Sequence, residues 1–146
     1  MIIRYRALSI QHDWGWVLER TNPKLVEDTC GIVAYDVETG EIAAMAIFDH
    51  LWSTSATGHI LIERPMVLRH GFIEEAADFI FNFMGKQVLI GQTPSTNVKA
   101  LKMAHYIGFK EVYRVPNGLG EGKDMVITQL VKEECKHIPI LQEGAA

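Results

Sequence analysis

The chain has 146 residues, of which 48% are hydrophobic and 22% charged, a globular composition that excludes intrinsic disorder. Its formal net charge of -4 and its lack of any Lys/Arg run argue against nucleic acid as a partner, and its apolar stretches fall well short of the ~20 residues of a membrane helix. The opening MIIRYRALSI has no apolar signal core and Cys30 and Cys135 stand apart without a CxxC pair, so a soluble, cytoplasmic protein with reduced thiols and no metal is expected.

Ile2 to Ala7 alternates apolar and polar residues and predicts a half-buried first strand. Ser9 then caps a helix that turns Ile10, Trp14, Val17 and Leu18 inward and stops by Asn22-Pro23. Gly31 to Val37 and Glu41 to Phe48 read as an antiparallel hairpin through Glu38-Thr39-Gly40. The second of these runs is almost wholly apolar, as a central strand would be.

A fourth strand is predicted at His59 to Glu63, ended by Pro65, followed by a helix from Phe72 to Met84 introduced by Gly71. Phe72, Ile73, Ala76, Ala77, Ile80, Phe83 and Met84 form its apolar face. Gln87 to Gly91 gives a fifth strand, Ser95 or Thr96 caps a helix reaching Ile107, and Gly108 ends it. Two further strands follow, Phe109 to Val115 and Met125 to Val131, joined by the glycine-rich loop PNGLGEGK. The order of elements implies a mixed α/β domain over residues 1–132, mostly antiparallel, with one parallel pair joined by a right-handed crossover, and a tail at 133–146.

Asn97 to Phe109 reads NVKALKMAHYIGF, with Asn97, Ala100, Gly108 and Phe109 in register with the pattern N-x-x-A-(x)7-G-F. In residue type and spacing this segment resembles the helix signature of the GNAT (GCN5-related) N-acetyltransferases, and the order of elements resembles theirs over essentially the whole chain. The resemblance implies a sheet of about seven strands flanked by three to four helices, with acetyl-coenzyme A held where the parallel strands splay. It further implies that Asn97 reaches a pantetheine amide, that main chain of strand four at Leu61 and Ile62 meets the thioester arm, and that the turn after Pro65 cradles pyrophosphate. Over that turn the family pattern aligns with Leu68, Arg69, His70, Gly71, Phe72 and Ile73, and only Gly71 matches it. Amides at a helix N-terminus attract phosphate whatever the side chains, and Arg69 adds charge. Many members carry a tyrosine seven residues after the helix asparagine to protonate the leaving thiolate; here that position is Ala104. Among short, degenerate members, the chain looks like the acetyltransferase-like proteins of tailed bacteriophages.

The resemblance places a general base on the inward face of strand four, which alternation assigns to Thr57, His59, Leu61 and Glu63. An imidazole is suited to base work near neutrality, so His59 is the first candidate and Glu63 the second; a satisfied structural histidine is the plain alternative. Asp49 and His50 border the acceptor side, with Trp52 and a loop from Ser53 to Gly58 covering it. The expected activity is transfer of acetyl to an amine, a protein lysine, N-terminus or small amine, by direct attack in a ternary complex, and a homodimer is compatible. The competing expectation is a noncatalytic protein-binding module on a degenerate GNAT scaffold, such as a phage protein acting on a host protein.

Overall fold

The computed structural model describes residues 1–138. Seven strands form one sheet in the order β1-β2-β3-β4-β5-β7-β6: β1 (Ile3–Ala7), β2 (Cys30–Asp36), β3 (Ile42–Asp49), β4 (Ser55–Ile62), β5 (Val88–Pro94), β6 (Lys110–Val115) and β7 (Met125–Val131). Every neighbouring pair is antiparallel except β4 and β5. That pair is joined through a 3₁₀ segment (Pro65–His70), helix α2 (Phe72–Ala77) and its π-helical continuation (Asp78–Phe83). Helices α1 (Ile10–Leu18) and α3 (Val98–Ile107) complete the layers.

The sheet is buried on both faces because its central strands are apolar along their whole length. On one face Ala44, Ala46, Phe48, Leu89 and Leu130 meet Phe72, Ala76, Ile80 and Phe81 of the α2 rod and Ile107 of α3. On the other, Val33, Met45 and Ile47 meet Val17 of α1. Residues 133–138 are not detached: Cys135 and Ile138 pack against the larger cluster. The rest of the expected tail, 139–146, lies outside the described residues. Among the described residues no helix is long and apolar enough to cross a membrane.

Four local expectations are corrected. Strand β4 starts at Ser55, so Ser55 to Gly58 is not a covering loop; these residues carry no apolar alternation, yet Ser55 pairs with Val88 and Thr57 with both Asp49 and Ile90. Helix α3 is capped by Asn97, whose Oδ1 accepts the Ala100 N–H at 3.1 Å, rather than by Ser95 or Thr96. Leu18 is exposed, whereas Asp13 of the same helix is buried. Phe83 is 77% exposed although α-helical spacing puts it inward. The π turn advances the chain less per residue than an α turn, so Phe81 takes the core position and Phe83 stacks outward on Phe79 at 5.7 Å.

Candidate active site

Strands β4 and β5 pair only at their beginnings, Ser55 with Val88, Ala56 with Leu89 and Thr57 with Ile90, and then part. The N–H of Glu63 donates to the Ala43 carbonyl across β3. Main-chain direction alternates along a strand, so the N–H groups of Ile60 and Ile62 face the opening instead, while that of Leu61 faces β3. On the opposite bank Val88 N–H bonds Thr54 O toward β4, and the same alternation turns Gln92 into the opening. Two strand edges thus present amide donors and acceptors that no longer serve each other, and such groups call for a partner.

The opening leads into a cleft of about 270 Å³ between α2 and α3. Its walls are small and apolar: Ile73, Ala76 and Ala77 from α2, and Ala100, Met103 and Ala104 from α3. Asn97 stands at the lip; its Oδ1 is committed to the helix cap, which leaves its Nδ2 hydrogens for another acceptor. Gly91 opens the floor, since a Cβ there would lie 2.6 Å from Thr128 Oγ1. Thr128 is buried, and its Oγ1 makes no hydrogen bond among the described residues. Neither Gly91 nor Thr128 stood out in the sequence reading, although a glycine inside the apolar run VLIGQ marks a close approach.

His59 and Leu61 line the cleft from β4. His59 Nε2 lies 3.0 Å from Asp49 Oδ2, and the other carboxylate oxygen, Oδ1, lies 2.7 Å from His50 Nδ1. That bond raises the His50 pKa above the ordinary imidazole value. Asp28 accepts the backbone N–H of His50 at 3.0 Å and of Leu51 at 2.7 Å, fixing the end of β3. Glu63, the second candidate base, does not line the cleft. It accepts Arg20 Nε at 2.9 Å, and that bond holds its carboxyl below the usual range.

The remaining expected ligand groups are divided. Asn97, Leu61 and Ile73 line the cleft, whereas Ile62 is not part of its lining. Arg69 and His70 are exposed in the turn before α2 and outside the cleft wall, Leu68 packs against the core and Phe72 is buried. Gly71 adopts φ 79°, a left-handed conformation that lets the 3₁₀ segment turn into α2. The turn is tied to β1 by Tyr5, whose hydroxyl donates to the His70 carbonyl at 2.6 Å. Ala104 lines the cleft where the resemblance expects a tyrosine, and Tyr106 is exposed beside His137 outside it. Trp52 is exposed and is not part of the cleft lining. Burial pushes the Cys135 thiol pKa up, which suits an unreactive lining residue.

No protein-family model matches the chain, and no curated protein matches it. Solved structures do. Spermidine N-acetyltransferase SpeG from Vibrio cholerae in complex with CoA and spermine superposes with a TM-score of 0.72 at 14% identity, covering 90% of this chain and 96% of that one. The N152L mutant of the same enzyme gives 0.74 at 15% identity, covering 90% and 94%. At this identity the likeness establishes the fold, that of the GNAT acetyltransferases. The splayed parallel pair, the cleft between α2 and α3 and the Asn97-capped helix make up the candidate site of this chain.

Proposed function

We propose that the chain is an acetyl-coenzyme A-dependent N-acetyltransferase, with residues 1–132 as its transferase unit and a primary amine as acceptor. The observation that carries this reading is the pair of unsatisfied strand edges at Ile60, Ile62 and Gln92 above a narrow apolar cleft. A pantetheine arm matches it, being a long, narrow chain with two amides. Asn97 Nδ2 at the lip would add a donor, and the main chain from Gly71 would face the phosphates, with Arg69 nearby. Bound coenzyme would supply the acetyl thioester as electrophile.

His59 takes a proton from the acceptor ammonium in this reading. The nitrogen lone pair then forms the new C–N bond to the carbonyl carbon while the C–S bond breaks with its electron pair on sulfur. The second proton lost by that nitrogen ends on the thiol, through water, because Ala104 offers no acid. A small polyamine is the first acceptor to try, since spermine accompanies CoA in the V. cholerae enzyme and a chain of net charge -4 attracts cations. Protein lysine is the second, and would suit a phage-encoded protein acting in a host cytoplasm.

The test is a thermal shift with acetyl-coenzyme A followed by an acetylation assay across spermidine, spermine and lysine peptides. Coenzyme at 100 times its dissociation constant should stabilise the fold by about 2.7 kcal/mol. No shift at millimolar coenzyme would overturn the reading in favour of a noncatalytic scaffold. If turnover is found, His59→Gln should lower it roughly a hundredfold to ten-thousandfold and abolish the acid limb of the kcat/KM profile, with coenzyme affinity spared.

A further inference from the structure

We infer that Asp49 is a positioning residue that holds His59 in one tautomer and orientation, so that Nδ1 is the atom that receives the acceptor's proton. The inference deepens the acetyltransferase reading and rests on it. Strand β3 is apolar from Ile42 to Phe48 and then ends in a carboxylate only 4% exposed. A buried carboxylate costs several kcal/mol unless it is paired, and among the described residues Asp49 has no Lys or Arg partner. Its side-chain partners are two imidazoles, His59 Nε2 at 3.0 Å and His50 Nδ1 at 2.7 Å.

A carboxylate only accepts, so each ring nitrogen facing it must carry hydrogen. In neutral His59 the proton therefore sits on Nε2 and the lone pair on Nδ1, which makes no hydrogen bond among the described residues. When Nδ1 takes a proton the ring becomes a cation, and the adjacent carboxylate stabilises it at the moment it forms. The arrangement is held from behind. His50 sits at φ 48°, a conformation that costs a non-glycine residue energy. It is kept there by Asp28 on its N–H, Asp49 on its ring and the Trp52 N–H on its carbonyl. Asp28, His50, Asp49 and His59 thus form one chain of contacts across the loop before β2, the end of β3 and β4, ending at the cleft.

The experiment compares the full-length wild type with Asp49→Ala, Asp49→Asn, His50→Gly and His59→Gln by long-range ¹H–¹⁵N imidazole spectra and by kcat and KM. The wild type should show His59 as the Nε2–H tautomer. Asp49→Ala should give mixed tautomers and a kcat lower by about 10- to 100-fold, the range found when the partner orienting a metal-ligating histidine is lost, with KM for coenzyme changed less than about twofold. Asp49→Asn offers one acceptor and one donor where two rings each need an acceptor, so its Nδ2 can face His59 Nε2 and favour the Nδ1–H tautomer; the Nε2–H signal should weaken and kcat should fall. Glycine tolerates φ 48°, so His50→Gly should fold even if the Asp49 variants do not, and should loosen the His59 tautomer with a smaller fall in kcat. An Nδ1–H tautomer in the wild type, or a pure Nε2–H tautomer in folded Asp49→Ala, would overturn the inference. Full turnover in His59→Gln together with a tautomer change in Asp49→Ala would instead overturn the base assignment, and Asp49 would be shown orienting a ring that takes no proton.

Discussion

Asn97 combines two duties at one amide. Its Oδ1 caps α3 by accepting the Ala100 N–H, and its Nδ2, unused by the cap, is the donor it can offer at the cleft it lines, so Asn97→Ala should cost about 0.5–2 kcal/mol of stability as well as coenzyme affinity. Asn97→Asp separates the duties, because a carboxylate still caps but cannot donate. Denaturation midpoints should then stay near wild type while coenzyme affinity, measured by calorimetry, falls. Gly91 is a second case in which one atom decides. A methyl group there would meet Thr128 Oγ1 at 2.6 Å, so Gly91→Ala should destabilise by about 1–3 kcal/mol. Thr128→Ala removes both the obstructing oxygen and a buried hydroxyl that has no partner among the described residues, and the double variant should regain most of the loss in urea titrations. No recovery would mean that Gly91 answers to something other than Thr128.

Two ties attach the N-terminal elements to the sheet and the site. Arg6 of β1 grips Asp13 of α1 through Nη1 and Nη2 at 2.7 and 2.8 Å, and Asp13 also accepts the Ser9 N–H. Burial alone would push the Asp13 carboxyl up, but these bonds outweigh it and hold its pKa below the ordinary value. A group with a depressed folded pKa contributes stability above the unfolded value, near 3.9, and loses it as pH falls through the folded one. Arg6→Ala should therefore cost about 1–3 kcal/mol at neutral pH, and its deficit should shrink toward acid pH as Asp13 protonates in both proteins. Tyr5 is the other tie. Burial first, and then Glu75 and Glu74, raise its pKa to about 12, so the hydroxyl remains a donor to His70 O throughout the neutral range. Tyr5→Phe should leave the fold intact and weaken coenzyme binding severalfold by loosening the turn before α2.

At the scale of the molecule, the proposed function depends on the sheet's one interrupted pairing. Six strand pairings bind the sheet, and the single parallel one stops after Thr57 and Ile90. The lost pairing leaves main-chain groups for a ligand at the centre of an otherwise closed fold, and α2 and α3 wall the gap with alanines. Ligand stabilisation should accordingly be large relative to the size of the contact, and closing the gap should abolish it. Ala104→Trp, which projects bulk into the cleft from α3, should fold and eliminate the coenzyme-dependent thermal shift.

Local patterns determined most of the architecture. The alternation of Ile2 to Ala7, the apolar run of β3, the glycine turn at Gly40 and the Asn97 to Phe109 spacing each report a short-range preference that the tertiary fold does not oppose. They suffice to predict a mixed sheet with a parallel pair, whereas His59 as a site residue follows from strand alternation only together with the GNAT resemblance. Tertiary structure decided what depends on partners distant in sequence. Ser55 to Gly58 became strand because β3 and β5 pair with it, and Phe83 turned outward because the helix widened into a π turn. Glu63 aligned with the base positions by alternation, yet Arg20 from α1's end claims it. Asp49 and His59 are ten residues apart, and only the β3–β4 register brings a carboxylate at one strand's end to an imidazole on the next. Hydrophobic periodicity reports which way a side chain faces, whereas a hydrogen bond between two strands requires their relative shift, and the pairing of the whole sheet sets that shift.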